Sequence, residues 1–83
     1  MTRDEILSAI ATIVAEKFGH VGPLTADSVA TDVDGWDSTA HVELMIDIED
    51  HFGIRLTTGE MANLFNLGAL AGAVERRLSR QDP

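Results

Sequence analysis

The chain has 83 residues, with 14 Asp and Glu against 6 Lys and Arg, a formal net charge of −8, no cysteine, and 45% hydrophobic side chains. A chain this short buries only about 60–65% of the surface it exposes when unfolded, which leaves room for one modest core, so a single domain over 1–83 is expected and a deep substrate pocket is not. Without cysteine there is no disulfide, thiolate zinc site, iron–sulfur cluster or thiol nucleophile; the few scattered basic residues argue against nucleic acid; and no segment approaches the roughly 18 apolar residues of a membrane span.

Ile6, Leu7, Ile10, Val14 and Phe18 recur at steps of three and four, with Ile13 beside them, which predicts a first amphipathic helix. Thr2 and Glu5 form a capping-box pattern at its start, and Gly19 stands where a left-handed terminal residue is easiest to accommodate. Asp4 and Glu5 in the first turn and Lys17 in the last complement the helix dipole. From Gly19 to Trp36 no period is sustained. That stretch is expected to be a long loop held down by Val21, Leu24, Val29 and Val33, since unanchored connections beyond about 12–15 residues are uncommon.

A second helix is expected to open at Asp37 or Ser38 and run to Phe52, ended by Gly53. Its apolar face is read as Val42, Met45, Ile46, Glu49 and Phe52, widened by Leu44 and Ile48. Glu43, Asp47 and Asp50 then form an acidic stripe on the other side. Thr57 and Glu60 repeat the capping-box pattern and open a short helix through Met61, Leu64 and Phe65. Asn66 caps a fourth helix to about Leu78, with Leu67, Leu70, Ala71, Val74 and Leu78 inward and Glu75, Arg76, Arg77 and Arg80 in solvent, and the tail Gln81 to Pro83 is expected to fray. The fold class is all-α: three main helices, one short one, and a long loop between the first two.

Three constellations carry possible chemistry. Asp32, Asp34 and Glu43 occupy positions one, three and twelve of a calcium loop, but the sixth position, which needs glycine, is Asp37, so no metal site is expected. Asp37, Ser38 and His41 bring together a carboxylate, a hydroxyl and an imidazole. They lack a strained nucleophile elbow, an oxyanion hole and a cleft, and no catalytic role is expected. His20 and His51 read as surface imidazoles. Asp-Ser before an apolar periodic segment is also an ordinary helix start, yet here it follows an anchored loop and opens an acidic helix, where the positive helix end favours an attached phosphate. Between Phe18 and Ile54 there are eight Asp or Glu and no Lys or Arg, a field suited to a basic partner.

Gly35-Trp36-Asp37-Ser38-Thr39, followed by Val42-Glu43-Leu44 and by Ile48-Glu49-Asp50-His51-Phe52-Gly53-Ile54, resembles the acyl carrier proteins over nearly the whole chain. The resemblance implies a small four-helix carrier bundle without a catalytic site of its own, in which Ser38 bears the 4′-phosphopantetheine arm of coenzyme A. It further implies an acyl cargo held as a thioester, loading by a phosphopantetheinyl transferase, and acyl- or aminoacyl-loading ligases and other biosynthetic enzymes with basic docking patches as partners. Asp37, Thr39, Glu43, Asp47 and Asp50 would meet those partners. A cysteine-free chain suits an arm whose thiol must not exchange with the protein. A monomer in a reducing cytoplasm is expected.

Val42, Met45, Ile46, Met61, Leu64 and Phe65 are candidates to line a cargo cavity, with a plain core as the competing reading. Thr39 stands where most relatives have an apolar residue, and Trp36 and Asn66 also depart from the fatty-acid carriers. Gly35-Trp36-Asp37 is less glycine-rich than the approach in peptide-synthetase carriers, which favours a discrete acyl carrier. An aminoacyl carrier and an unmodified acidic interaction domain are the alternatives.

Overall fold

The computed structural model describes residues 2–81, and the side chains of residues 80 and 81 are not described. The order is α1 (Arg3–Phe18), a 3-10 turn (Ala30–Asp32), α2 (Ser38–Phe52), α3 (Thr58–Met61) and α4 (Leu67–Gln81). Among the described residues the extended pairing is limited to an isolated bridge between Val29 and Asn66. The all-α architecture expected from the periodicities is therefore present, and its Cα radius of gyration, 11.8 Å, is that of a well-packed chain of this length.

Helix boundaries follow local chemistry. Thr2 and Glu5 form the reciprocal capping box at α1, and Thr57 and Glu60 form the second at α3. Asn66 Oδ1 accepts from the amide of Ala69 at 2.6 Å and so caps α4. Gly19 and Gly53 close α1 and α2 in the left-handed region, with φ of 63° and 66°, where a Cβ would be strained. α3 is shorter than expected. It stops at Met61, so Leu64 and Phe65 lie in the turn before α4. α4 continues to Gln81, past the expected end near Leu78, and the expected fraying of the tail falls partly on residues 82–83, outside the described ones.

α1 packs mainly on α4 and secondarily on α2. Ile6, Ile10 and Val14 meet Leu44, Met45 and Ile48 of α2 and Leu67, Leu70, Ala71 and Val74 of α4 in one buried cluster. The face of α2 is rotated from the expected one. His41, Leu44, Met45 and Ile48 are buried, whereas Val42 and Ile46 are 55% and 49% exposed. Glu49, expected on the apolar face, is half-buried, and its Oε2 accepts from the amide of Leu56 at 2.8 Å, which fastens the chain leaving α2.

The long loop is held differently from the expectation. Val33 is buried and Leu24 half-buried, but Val21 is 93% exposed and Val29 lies near the surface. Backbone bonds take their place: Ala30 N to Phe65 O (2.8 Å), Leu67 N to Ser28 O (3.0 Å) and Gly68 N to Ala26 O (3.0 Å). The loop thereby supplies acceptors to the first turn of α4, whose amides have no partner within the helix. A Cβ on Gly68 would lie 2.8 Å from the Ala26 carbonyl oxygen, so the approach depends on glycine. Trp36, 6% exposed, is the loop's apolar anchor next to α2.

Candidate functional site

Ser38 is the first residue of α2 and is exposed. Asp37 precedes it in extended conformation; its Oδ1 accepts from the amide of Ala40 at 2.9 Å, and its carbonyl accepts from that of His41 at 2.8 Å. The amides of Ser38 and Thr39 open the helix without an acceptor four residues back, so they and the positive helix end lie beside the serine. The hydroxyl is thus presented at a fixed helix start, reachable from solvent.

Beneath it lies a polar and aromatic assembly. Trp36 Nε1 donates to His41 Nδ1 at 2.9 Å, and His41 Nε2 lies 2.7 Å from the carbonyl oxygen of Met61. An indole N–H can only donate and a carbonyl can only accept, so both contacts are satisfied by the neutral imidazole carrying its proton on Nε2. Phe65 stacks on the His41 ring with centroids 3.9 Å apart, Trp36 lies edge to edge with His41 and nearly coplanar with it at 6.0 Å, and Phe18 runs near-parallel to Trp36 at 6.0 Å. The C-terminal end of α1, the loop, α2 and the turn before α4 therefore meet on one cluster of rings.

That arrangement removes the hydrolase reading. Both ring nitrogens of His41 are occupied by Trp36 and Met61, which leaves neither to take a proton from Ser38. In the segment that matched part of a calcium loop, Asp32 Oδ2 accepts from the amide of Val29 at 3.0 Å, and among the described residues no three His, Cys, Asp or Glu gather.

A groove of about 400 Å³ opens beside Ser38. Its walls are Val42 from α2, Thr58 and Met61 from α3, and Ala62 and Phe65 from the following turn, with the buried His41 as its base. Of the residues proposed from sequence to line a cavity, Val42, Met61 and Phe65 meet here. Met45 and Leu64 are buried in the core cluster, and Ile46 lies on another side, near Asp50 and Arg55.

Asp37, Thr39, Glu43, Asp47 and Asp50 are all exposed. The acidic stripe is partly neutralised by α1: Lys17 Nζ lies 2.9 Å from Asp47 and 3.5 Å from Glu43. The bond to Asp47, more than any other contact, holds the Lys17 ammonium above its ordinary value of 10.5, so it is charged throughout the neutral range. Sequence reasoning gave Lys17 only a dipole role and read His41 only as a discarded catalytic partner. The signal available for His41 was its place three residues after Ser38 and four before Met45, on the inward face.

No family model matches the chain. It is 33% identical over 79 residues to an acyl carrier protein of an Exiguobacterium species, covering 94% of this chain and all of that protein (100%). It is 28% identical over 78 residues to the acyl carrier protein of Thermotoga maritima, covering 93% and 96% of the two chains. The solution NMR structure of holo acyl carrier protein from Geobacter metallireducens superposes with a TM-score of 0.80 at 35% identity, over 92% of this chain and 88% of that one.

Proposed function

Since this chain belongs to the acyl carrier proteins, which are carriers and not enzymes, with a role in fatty acid or related synthesis, we propose that Ser38 is the residue through which it carries its cargo. In this reading Ser38 Oγ forms a phosphodiester bond to the 4′-phosphopantetheine group of coenzyme A as the pyrophosphate bond breaks and adenosine bisphosphate leaves. The group supplies a thiol on which an acyl intermediate is held as a thioester. The chain's own residues do the rest: Asp37 fixes the helix start, and Trp36 fastens the loop that leads to it.

The observation that carries the reading is the exposed Ser38 hydroxyl on the first turn of α2, at the edge of an apolar groove formed by Val42, Met61, Ala62 and Phe65. The residues present fit the group, because a phosphate attached there lies at the positive end of α2 and the groove offers an apolar surface to what extends from it. Asp37, Thr39, Glu43, Asp47 and Asp50 form the docking face for basic partners, beginning with a phosphopantetheinyl transferase in the cytoplasm. Thr39 offers such partners less apolar surface than the usual residue there and narrows their choice.

Intact-protein mass after incubation with coenzyme A, magnesium and a broad-specificity phosphopantetheinyl transferase tests this. One added phosphopantetheinyl group is expected on the native chain and none on Ser38→Ala. A folded native chain that gains nothing with several transferases would overturn the reading in favour of an unmodified interaction domain.

A further inference from the structure

Along the inward face of α2 the order from the helix start is Ser38, His41, then Leu44 and Met45, then Ile48. These positions follow steps of three and four and so stack one above another. Anything attached to Ser38 that runs down this face toward the core meets His41 first. His41 is 4% exposed, while the Val42 and Phe65 side chains flanking it in the groove are 55% and 38% exposed. Its ring is therefore the base of the groove, and Leu44, Met45 and Ile48 beyond it are completely buried.

The ring is fixed from three sides. Trp36 holds Nδ1, the Met61 carbonyl holds Nε2, and Phe65 stacks on the face at 3.9 Å. To let a chain pass, the imidazole must leave both hydrogen bonds and the stack together, and Trp36 must leave its indole N–H without a partner. An alkyl chain offers neither donor nor acceptor in exchange.

We propose that His41, held by Trp36 and Met61 and stacked on Phe65, is a specificity-determining residue that closes the core to the tethered cargo. The cargo then lies in the open groove beside Ser38, and the carrier takes short or polar acyl groups, which lose little by lying there. Long alkyl chains are disfavoured because the open groove leaves one side of them in water, where the closed core would not. This rests on Ser38 being the attachment point.

The chain has no cysteine, so Ser38→Cys introduces a single thiol that alkyl methanethiosulfonates of four, eight and twelve carbons convert to mixed disulfides. Methyl NMR and thermal denaturation of the three conjugates read where each chain goes. With His41 present, methyl signals of Val42, Met61 and Ala62 are expected to shift, those of Leu44, Met45 and Ile48 to stay, and Tm to be the same at eight and twelve carbons as at four. In the Ser38→Cys chain that also carries His41→Ala, Tm is expected to rise with chain length and the core methyls to shift.

Core-methyl shifts and a Tm that climb with length while His41 is in place would overturn the proposal. So would signals that move in neither groove nor core, or a folded His41→Ala chain that still excludes the longer alkyl groups. If His41→Ala does not fold, the length series with His41 present decides alone. Because the thiol is loaded chemically, failure of Ser38 to accept phosphopantetheine is a separate result, read by mass on the native serine.

Discussion

At the scale of single residues, the decisive contact is between Trp36 and His41, the chain's one tryptophan and its one buried histidine among the described residues. Replacing Trp36 with Phe keeps most of the apolar volume and removes the indole N–H, which leaves His41 Nδ1 buried without its donor. A destabilisation of about 1–3 kcal/mol is expected, the usual cost of orphaning a buried polar atom. Urea denaturation followed by far-UV circular dichroism measures it, and an unchanged midpoint would show that the bond contributes nothing. The bond between them is not legible in the sequence, because Trp36 lies in a stretch without a period and His41, marked only by its spacing from Met45, counts as polar in any hydropathy pattern. The place of Ser38 at a helix start, by contrast, was legible through its neighbours: the Asp37 cap and the motif that follows lie within a few residues of it.

At the scale of elements, boundaries were legible and orientations less so. Both capping boxes, both glycine stops and the Asn66 cap are local devices, formed by residues no more than a few positions apart, and each is found where the spacing placed it. The face that α2 buries is only partly the expected one. Leu44, Met45 and Ile48 are buried as expected, but apolar residues occur on more than one side of that helix, and the choice between Val42 with Ile46 and His41 depends on what the loop and α3 present to it.

The α3 cap also makes a pH prediction. The backbone bond from Thr57 is the main cause that holds the Glu60 carboxyl below its ordinary value of 4.5, with Arg77 as a lesser cause. A lowered folded-state value means that the stabilisation is fully present above the ordinary value and is lost as pH falls through the lowered one. Glu60→Gln can still accept the amide bond but cannot titrate, so its stability is expected to fall less steeply on acidification below about pH 4.5. At neutral pH, loss of the half-buried Arg77 pair is expected to cost about 1 kcal/mol. Thermal denaturation across the acid range checks both, and identical slopes for the two proteins would show that Glu60 does not contribute.

At the scale of the molecule, a net charge of −8 with an acidic α2 gives a field that draws in basic surfaces. Neutralising Glu43, Asp47 and Asp50 together as Gln, Asn and Asn is expected to lower kcat/KM of the phosphopantetheinyl transferase by about tenfold or more at low salt, and to flatten its salt dependence. Lys17→Met frees Glu43 and Asp47 from their partner and is expected to shift kcat/KM the other way. Transferase kinetics over a range of ionic strength distinguish these outcomes, and a triple variant as fast and as salt-sensitive as the native chain would remove the stripe from the docking face. The surface ion pairs that join helices, Arg3 with Glu75 and Lys17 with Asp47, sit at the surface, where such pairs contribute about 1 kcal/mol at most. The cluster centred on Ile6, Ile10, Leu44, Ile48 and Leu70 is what holds the bundle.

Short-range chemistry, legible in the order of the residues, accounts for four helices with their caps and stops, the acidic α2, and the serine at its head within a recognisable motif. Tertiary structure alone decided the rest. It turned α2 so that His41 rather than Val42 faces inward and fastened the long loop through backbone acceptors for α4 instead of through Val21. It also set Lys17 against the acidic stripe. Each of these joins residues far apart in the chain, where neither periodicity nor capping carries information, and packing chooses among faces that local propensity leaves equivalent.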